Sequence, residues 1–389
     1  MSDWIHNELA AIAARGETRR LETWPAPGPR LRDGDRTLLN LAGNDYLGLT
    51  QHPAVREAAA RAARDSGPGA TASRLLAGTC DLHTELEERL AAWKGHLAAL
   101  LFSSGYLAAL GVITVVAGRG DLIVADRLSH ACLLDAALLS GAKLVRFHHN
   151  DLAEARRVLK DRTDYRRCLI VTESTFSMDG DHAPVAELLA LAEEVDALLL
   201  VDEAHALGAA GPRGAGWTAD LCPADGRLIT LGTLGKSLAS AGGFVTCSHD
   251  LRTLLINRAR SFIFDTALPP PSVAAALAAL SLLEAHPEWP AALAQRASDF
   301  SAALRAGGLP VMHGASHIVP ILIGESTRTM AVARAVRENG VLSGAIRPPT
   351  VPPGTARLRL SLSLAHEPDE LAAAAHSIAR AYTEEGAHV

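Results

Sequence analysis

The chain has 389 residues, of which 48% are apolar and 21% charged, and a net charge of −6. That length suits one large and one small domain, and the apolar fraction supplies ample core. With 4% aromatic residues, no long basic run and a negative balance, the chain lacks the stacking surfaces and positive field of a protein whose main partner is nucleic acid or an anionic membrane.

Residues 4–15 read as a short amphipathic helix, followed by a loop at Pro25, Pro27, Gly28 and Pro29. A small strand is expected at 37–41, then a turn at Gly43-Asn44-Asp45-Tyr46-Leu47-Gly48. Pro53 opens a helix to about 64, as proline does at a first helical position. A Gly/Ala/Ser loop fills 67–78, and 81–93 is a charged amphipathic helix. No apolar signal core occupies the first 20 residues, and no apolar run reaches the roughly 18 residues of a membrane span. The five cysteines, Cys80, Cys132, Cys168, Cys222 and Cys247, form no CxxC pair, and no HExxH occurs. Reduced thiols in a cytoplasmic protein without a metal site are therefore expected.

From residue 97 the pattern changes to short apolar runs at 97–102, 121–125, 143–147, 168–172, 197–201, 228–231 and 243–247. Helical patterns lie between many of them, at 106–117, 131–140, 152–160 and 184–195. Strands that are apolar throughout and alternate with helices predict an α/β fold with a mostly parallel sheet covered on both faces. After Pro269-Pro270-Pro271 the chain is Ala-rich and helical to about 308. A strand at 318–323, a helix at 328–339, strands at 341–346 and 356–364 and a helix at 368–384 predict a smaller α+β domain. The division expected is an N-terminal segment 1–45, a large domain 46–280 and a small domain 281–389. In the strand after Ala356, leucines take one face, while Arg357, Arg359, Ser361 and Ser363 take the other. Those arginines are either solvated charge or a receptor for a carboxylate, which the planar guanidinium suits.

Ligands in open α/β sheets bind beyond the carboxyl ends of strands. The first strand is followed by Ser103-Ser104-Gly105-Tyr106 at a helix start, where backbone N–H groups favour an anion. The second is followed by Asp126-Arg127-Leu128-Ser129-His130. After 168–172 comes Glu173-Ser174-Thr175-Phe176-Ser177-Met178-Asp179-Gly180-Asp181, and after 197–201 comes Asp202-Glu203-Ala204-His205. After 228–231 comes Gly232-Thr233-Leu234-Gly235-Lys236-Ser237. The last is not a phosphate loop of the GxxxxGK[ST] kind, since Thr230 stands where its first glycine belongs. A lysine among small residues can instead form a Schiff base with a carbonyl compound. Singly, each feature has a plainer explanation: a structural histidine, a helix cap at Asp202, a surface lysine. Together, in order and each at a strand end, they point to a phosphate cradle, two histidines, an acid and a lysine.

These residues resemble the fold-type I pyridoxal-phosphate enzymes, and more narrowly the α-oxoamine synthases, from about Asn40 to about Arg380. The resemblance implies pyridoxal 5'-phosphate as cofactor and a large domain with a smaller C-terminal α+β domain. It gives Lys236 the Schiff base and the catalytic base role, Asp202 the pyridine nitrogen, His205 the phenolic oxygen and His130 the face of the ring. Ser177 lies close to the cofactor; Thr233 and the backbone of Ser104, Gly105 and Tyr106 hold its phosphate. Asn44 and Arg359 hold the amino acid's carboxylate, and Ala70-Thr71-Ala72-Ser73-Arg74 line its side-chain pocket. The family also implies a homodimer whose sites each borrow Thr266 from the other chain.

Three segments resemble the branch that condenses L-alanine with a pimeloyl thioester in biotin biosynthesis: Asn44 to Leu49, Ser177 to Asp181, and Ala345-Ile346-Arg347-Pro348-Pro349-Thr350-Val351-Pro352. Arg347 and Thr350 are the substrate-binding candidates of the last segment, Arg347 equally a structural arginine before a Pro-Pro turn. The acyl carrier is either CoA or a carrier protein, for which Arg15, Arg19 and Arg20 offer a local basic patch. The sister reactions, glycine or serine with another acyl-CoA, and a scaffold without activity are the alternatives; a scaffold would be expected to lose the lysine. The chain departs from the family at Ala206-Leu207 after the histidine, at Ala109 in place of an Asn, and at Asp265, an acid beside Thr266 that must turn away from a phosphate or contact it differently.

Overall fold

The computed structural model describes residues 3–160, 164–221 and 223–386; Cys222 lies outside them. The strands are β1 (Arg30–Asp33), β2 (Arg36–Asn40), β3 (Ala98–Phe102), β4 (Leu122–Asp126), β5 (Lys143–Phe147), β6 (Cys168–Glu173), β7 (Leu198–Asp202), β8 (Leu228–Thr233), β9 (Gly243–Cys247), β10 (Ile318–Gly324), β11 (Val341–Leu342), β12 (Gly344–Ile346) and β13 (Ala356–Ser361). The chain forms two compact units. One comprises Leu47–Ser177 and Asp181–Ala292; the other comprises Met1–Tyr46, Met178–Gly180 and Leu293–Val389. No helix among the described residues is long and apolar enough to cross a membrane.

The larger unit is built on a seven-stranded sheet in the order β3-β9-β8-β7-β6-β4-β5. Strands β4 to β8 run parallel, as their apolar runs predict. The exception is β9, antiparallel to both β8 and β3, a reversal that a run of five apolar and small residues does not reveal. Because β9 is reversed twice over, β3 points the same way as β8. The carboxyl ends of β3, β4, β6, β7 and β8 therefore share one edge, and β9 begins there.

The two outer strands are managed differently. In β5, Lys143 and Arg146 face solvent, and charge on an outer strand opposes further pairing. β3 is buried throughout, so its outward backbone groups need partners. The Leu101 N–H donates to Glu87 Oε1 at 2.9 Å, and Arg252 Nε donates to the Ala99 carbonyl at 2.8 Å. Arg74 and Arg252 both pair with Glu87.

In the second unit, β1 and β2 form a hairpin, and β11 adds parallel to β2. The N-terminal strands thus share a sheet with a C-terminal one, so residues 1–46 group with 293–389 instead of standing as a separate segment. A second sheet runs β10-β13-β12, all antiparallel. The single strand expected at 341–346 is two: after Leu342 the chain leaves one sheet and enters the other at Gly344. A Cβ there would come within 3.3 Å of the Arg359 carbonyl oxygen, so glycine suits the close pairing with β13. Both faces of β13 are buried, including Arg357 and Arg359, which excludes the solvated-charge reading.

Two further electrostatic clusters lie in the larger unit, one buried and one half-buried. Lys94 ends the helix Asp81–Lys94 and is fully buried against Glu203. Its Nζ also donates to the Ala215 carbonyl at 2.5 Å and Thr218 Oγ1 at 2.8 Å, and Glu203 accepts from the Thr218 N–H at 3.0 Å. Burial lowers the Lys94 pKa, opposed by the charge of Glu203. The second cluster sets His149 between Asp126 (3.1 Å) and Asp181 (2.7 Å), with its ring edge-on to Phe176. Burial disfavours the imidazolium, but the bonds to Asp126 and Asp181 prevail and raise its pKa to about 10.

Removing one member of a buried ion pair strands the other, at about 3–5 kcal/mol. Lys94→Met should cost about that much in urea unfolding, and Lys94→Met/Glu203→Leu should recover most of it. For His149 the folded pKa lies above the unfolded value of about 6.5. Its stabilisation is complete below pH 6.5, declines as pH rises, and is gone above pH 10. The denaturation midpoint of the wild type should therefore exceed that of His149→Gln most at pH 6, and the gap should close towards pH 10. A constant gap would contradict this.

Candidate active site

The shared sheet edge gathers the side chains that follow each strand. Ser104 caps the helix Gly105–Val116, its Oγ accepting from the Leu107 N–H at 3.1 Å. The first-turn N–H groups of Gly105 and Tyr106 have no partner within the helix and point from its positive end. Gly105 lies against Thr233: a Cβ on it would sit 3.7 Å from the Thr233 Cβ. Gly243, at the start of β9, lies so close that a Cβ would come within 2.4 Å of the Gly105 nitrogen. A side chain there would push the helix start away from the sheet. The Thr233 hydroxyl donates to the Gly242 carbonyl at 3.1 Å and accepts from the Gly235 N–H at 3.1 Å. The Tyr106 phenol turns aside to Asp135 at 2.6 Å, leaving its backbone as its contribution to the cradle.

Lys236 is half-buried, and its Nζ lies 2.7 Å from His205 Nε2. The two come from the ends of adjacent strands, β8 and β7. Asp202 ends β7, half-buried, and accepts from the Ala204 N–H at 2.8 Å. His130 caps the helix Ala131–Ser140; its Nδ1 accepts from the Cys132 N–H at 3.3 Å, and the ring is exposed. Ser177 is buried in the turn after β6. Around these residues, Ser129 Oγ, Glu173 Oε1, Ser174 Oγ and Ser237 Oγ are buried with no hydrogen-bond partner. Buried polar atoms are seldom left so. With an adjacent amine, an acid, an exposed ring and an N–H cradle, this donor set fits a planar, phosphate-bearing aldehyde.

Thr266 is exposed; its carbonyl accepts from Ser103 Oγ at 3.0 Å. Asp265 does not extend outward, since it accepts from Ser103 Oγ and from the Thr266 N–H at 3.0 Å. Ala109, Ala206 and Leu207 are all buried, so these departures are core positions. Leu207 packs towards Gly232, where a Cβ would come within 2.8 Å of its Cδ1.

In the other unit, Arg359 Nη2 donates to Asn44 Oδ1 at 3.2 Å, and the Tyr46 hydroxyl donates to the same oxygen at 3.0 Å. Burial pushes the Tyr46 pKa up to about 12, against the pull of Arg359, so the phenol keeps its proton. Arg357 is bound to Asp179 at 2.7 Å. Arg347 donates to the Thr18 carbonyl at 2.8 Å, and Thr350 lies in an exposed turn that donates its N–H to the Arg347 carbonyl. Two buried carboxyls, Glu173 and Glu203, lie next to predicted site residues and are not singled out by the sequence. Their signal is position: each closes or follows an apolar strand next to a predicted site residue.

The family model for aminotransferase class I and II matches residues 36–378. The 8-amino-7-oxononanoate synthase of Anaeromyxobacter sp. (strain K) is 49% identical, over 94% of this chain and 92% of its own. A serine palmitoyltransferase from S. paucimobilis, solved with a pyridoxal-phosphate–myriocin adduct, superposes with a TM-score of 0.92 at 30% identity, covering 99% of this chain and 98% of that one. The 8-amino-7-oxononanoate synthase of Francisella tularensis superposes with a TM-score of 0.76 at 27% identity, over 90% and 99%. These likenesses bear out the expected fold-type I architecture. The chain belongs to the aminotransferase class I and II family and, within it, to the 8-amino-7-oxononanoate synthases.

Proposed function

We propose that the chain catalyses the decarboxylative condensation of L-alanine with a pimeloyl thioester, releasing 8-amino-7-oxononanoate, CO2 and the free thiol. The observation that carries this reading is the Lys236–His205 contact of 2.7 Å, set among Asp202, His130 and the Gly105 cradle in a chain 49% identical to a relative of that name. The cofactor is read as pyridoxal 5'-phosphate, held by Thr233, Thr266 of the second chain of a homodimer, Ser177 and the backbone of Ser104, Gly105 and Tyr106. When bound, it supplies an electron sink for the pair left at the amino acid's α-carbon.

Asp202 would keep a proton on the ring nitrogen, since an adjacent negative charge favours the cation. His130 would lie against the ring, and His205 would donate to the phenolic oxygen. Lys236 Nζ takes the proton from the α-carbon and later returns one. Arg359 and Asn44 hold the substrate carboxylate; Tyr46 and Arg359 already orient the Asn44 amide. Arg347 and Thr350 are weaker acyl contacts, because Arg347 is tied to the chain's own Thr18. The protein is read as a cytoplasmic enzyme, with CoA or a carrier protein bearing the acyl group.

A second reading, a sister enzyme using serine or glycine with a different acyl-CoA, draws on the TM-score of 0.92 to serine palmitoyltransferase. Identity favours the first reading, 49% against 30%. The deciding experiment pairs L-alanine, glycine and L-serine with pimeloyl-, acetyl- and palmitoyl-CoA on holoprotein and follows thiol release and product mass. L-Alanine with pimeloyl-CoA should win; a winning pair without pimeloyl-CoA would establish the sister reading. Arg359→Lys keeps the charge but loses the fork. It should lower kcat/KM for the amino acid about 10- to 100-fold, the worth of about 1.5–3 kcal/mol of charged hydrogen bonding.

A further inference from the structure

Glu173 ends β6, and the register of β6 with β7 places it beside Asp202. In-register neighbours on paired strands put their side chains on the same face. Two carboxyls therefore stand together at the edge where the cofactor is read to bind. Glu173 is only 2% exposed, whereas Asp202 is half-buried. The backbone N–H groups of His130 and Ser177 reach the Glu173 carboxyl, while its Oε1 has no hydrogen-bond partner. One side chain thus links three residues assigned to the cofactor: His130 at a helix start, Ser177 in a turn and Asp202 at a strand end.

Adjacent buried carboxyls do not readily ionise together. Burial and then the charge of Asp202 hold Glu173 well above the usual carboxyl range, against the pull of Lys236 and of the two N–H groups. The same two acids, after burial, raise the neighbouring Cys132 thiol. Asp202, Lys236 and Cys132 are ionisable groups around Glu173, and His130 adjoins it through its backbone.

We propose that Glu173 is a positioning residue of the cofactor site: its carboxyl ties the backbone at His130 and Ser177 to the strand end bearing Asp202. It does so as the neutral acid, adding no second charge to that edge. This rests on the functional reading above. It assigns Glu173 no contact with substrate and no proton transfer.

The test titrates the apo forms of the full-length wild type, Glu173→Gln and Glu173→Ala with pyridoxal phosphate. It then follows the visible absorption of the bound cofactor against pH. Glu173→Gln keeps the shape without charge, so its Kd should stay within about threefold of wild type and its pH midpoint should not move. Glu173→Ala should weaken cofactor binding about tenfold or more. A midpoint displaced by about half a unit or more in Glu173→Gln would show that a charge had been removed, overturning the neutral-acid assignment even if the alanine variant fails to fold. Equal cofactor affinity in Glu173→Ala and wild type would overturn the positioning role alone. A wild type that takes up no pyridoxal phosphate would overturn the functional reading, and this inference with it.

Discussion

The larger unit depends on one directional constraint: strands joined by helical crossovers run parallel, so their carboxyl ends collect at one edge. Residues more than a hundred positions apart, from Ser104 to Lys236, meet there without any long loop to carry them. β9 is reversed, yet it serves the same edge by starting at it. Its first residue, Gly243, lets the backbone of β9 and the start of the helix Gly105–Val116 come into contact. An N–H cradle can then lie directly against Thr233 at the end of β8.

Electrostatics then sorts the acids gathered in this region. Glu203 is paired with Lys94 and bonded by Thr218, and Asp126 and Asp181 share His149. Glu173 makes no ion pair among the described residues, and burial and then the charge of Asp202 raise its pKa. Asp202 is left as the half-buried acid at the edge, next to an amine and an imidazole held 2.7 Å apart. The role proposed for Asp202, beside a cofactor ring nitrogen, calls for an acid in such a place.

Most of the fold was legible because its strands are short, apolar and separated by helices. Five of the seven large-sheet strands end next to residues of the proposed site, so the same punctuation marks both. What was not legible has physical reasons. Strand direction leaves no mark on a sequence that is apolar on both faces, so the reversal of β9 was invisible. The break between β11 and β12 looks like one run because Ser343 and Gly344 are small and fit either sheet. Arg357 and Arg359 look like an exposed polar face by alternation, but both are buried through specific partners, Asp179 and Asn44. Glu173 stands in plain view within its motif, yet the role proposed for it depends on the register with Asp202, which only pairing reveals.

The sealing of β3 has a consequence for how this scaffold can change. Arg74 closes the loop 70–74, read as lining the amino-acid pocket, and its guanidinium also binds Glu87, which saturates the outer N–H of β3. Positions 70 to 73 can drift towards a different amino acid without touching the sheet. Position 74 is more constrained, because its arginine, together with Arg252, holds the carboxylate that occupies an outer N–H of the end strand. Changes of substrate on this fold should therefore accumulate on one side of Arg74, with the sealing of β3 marking the boundary.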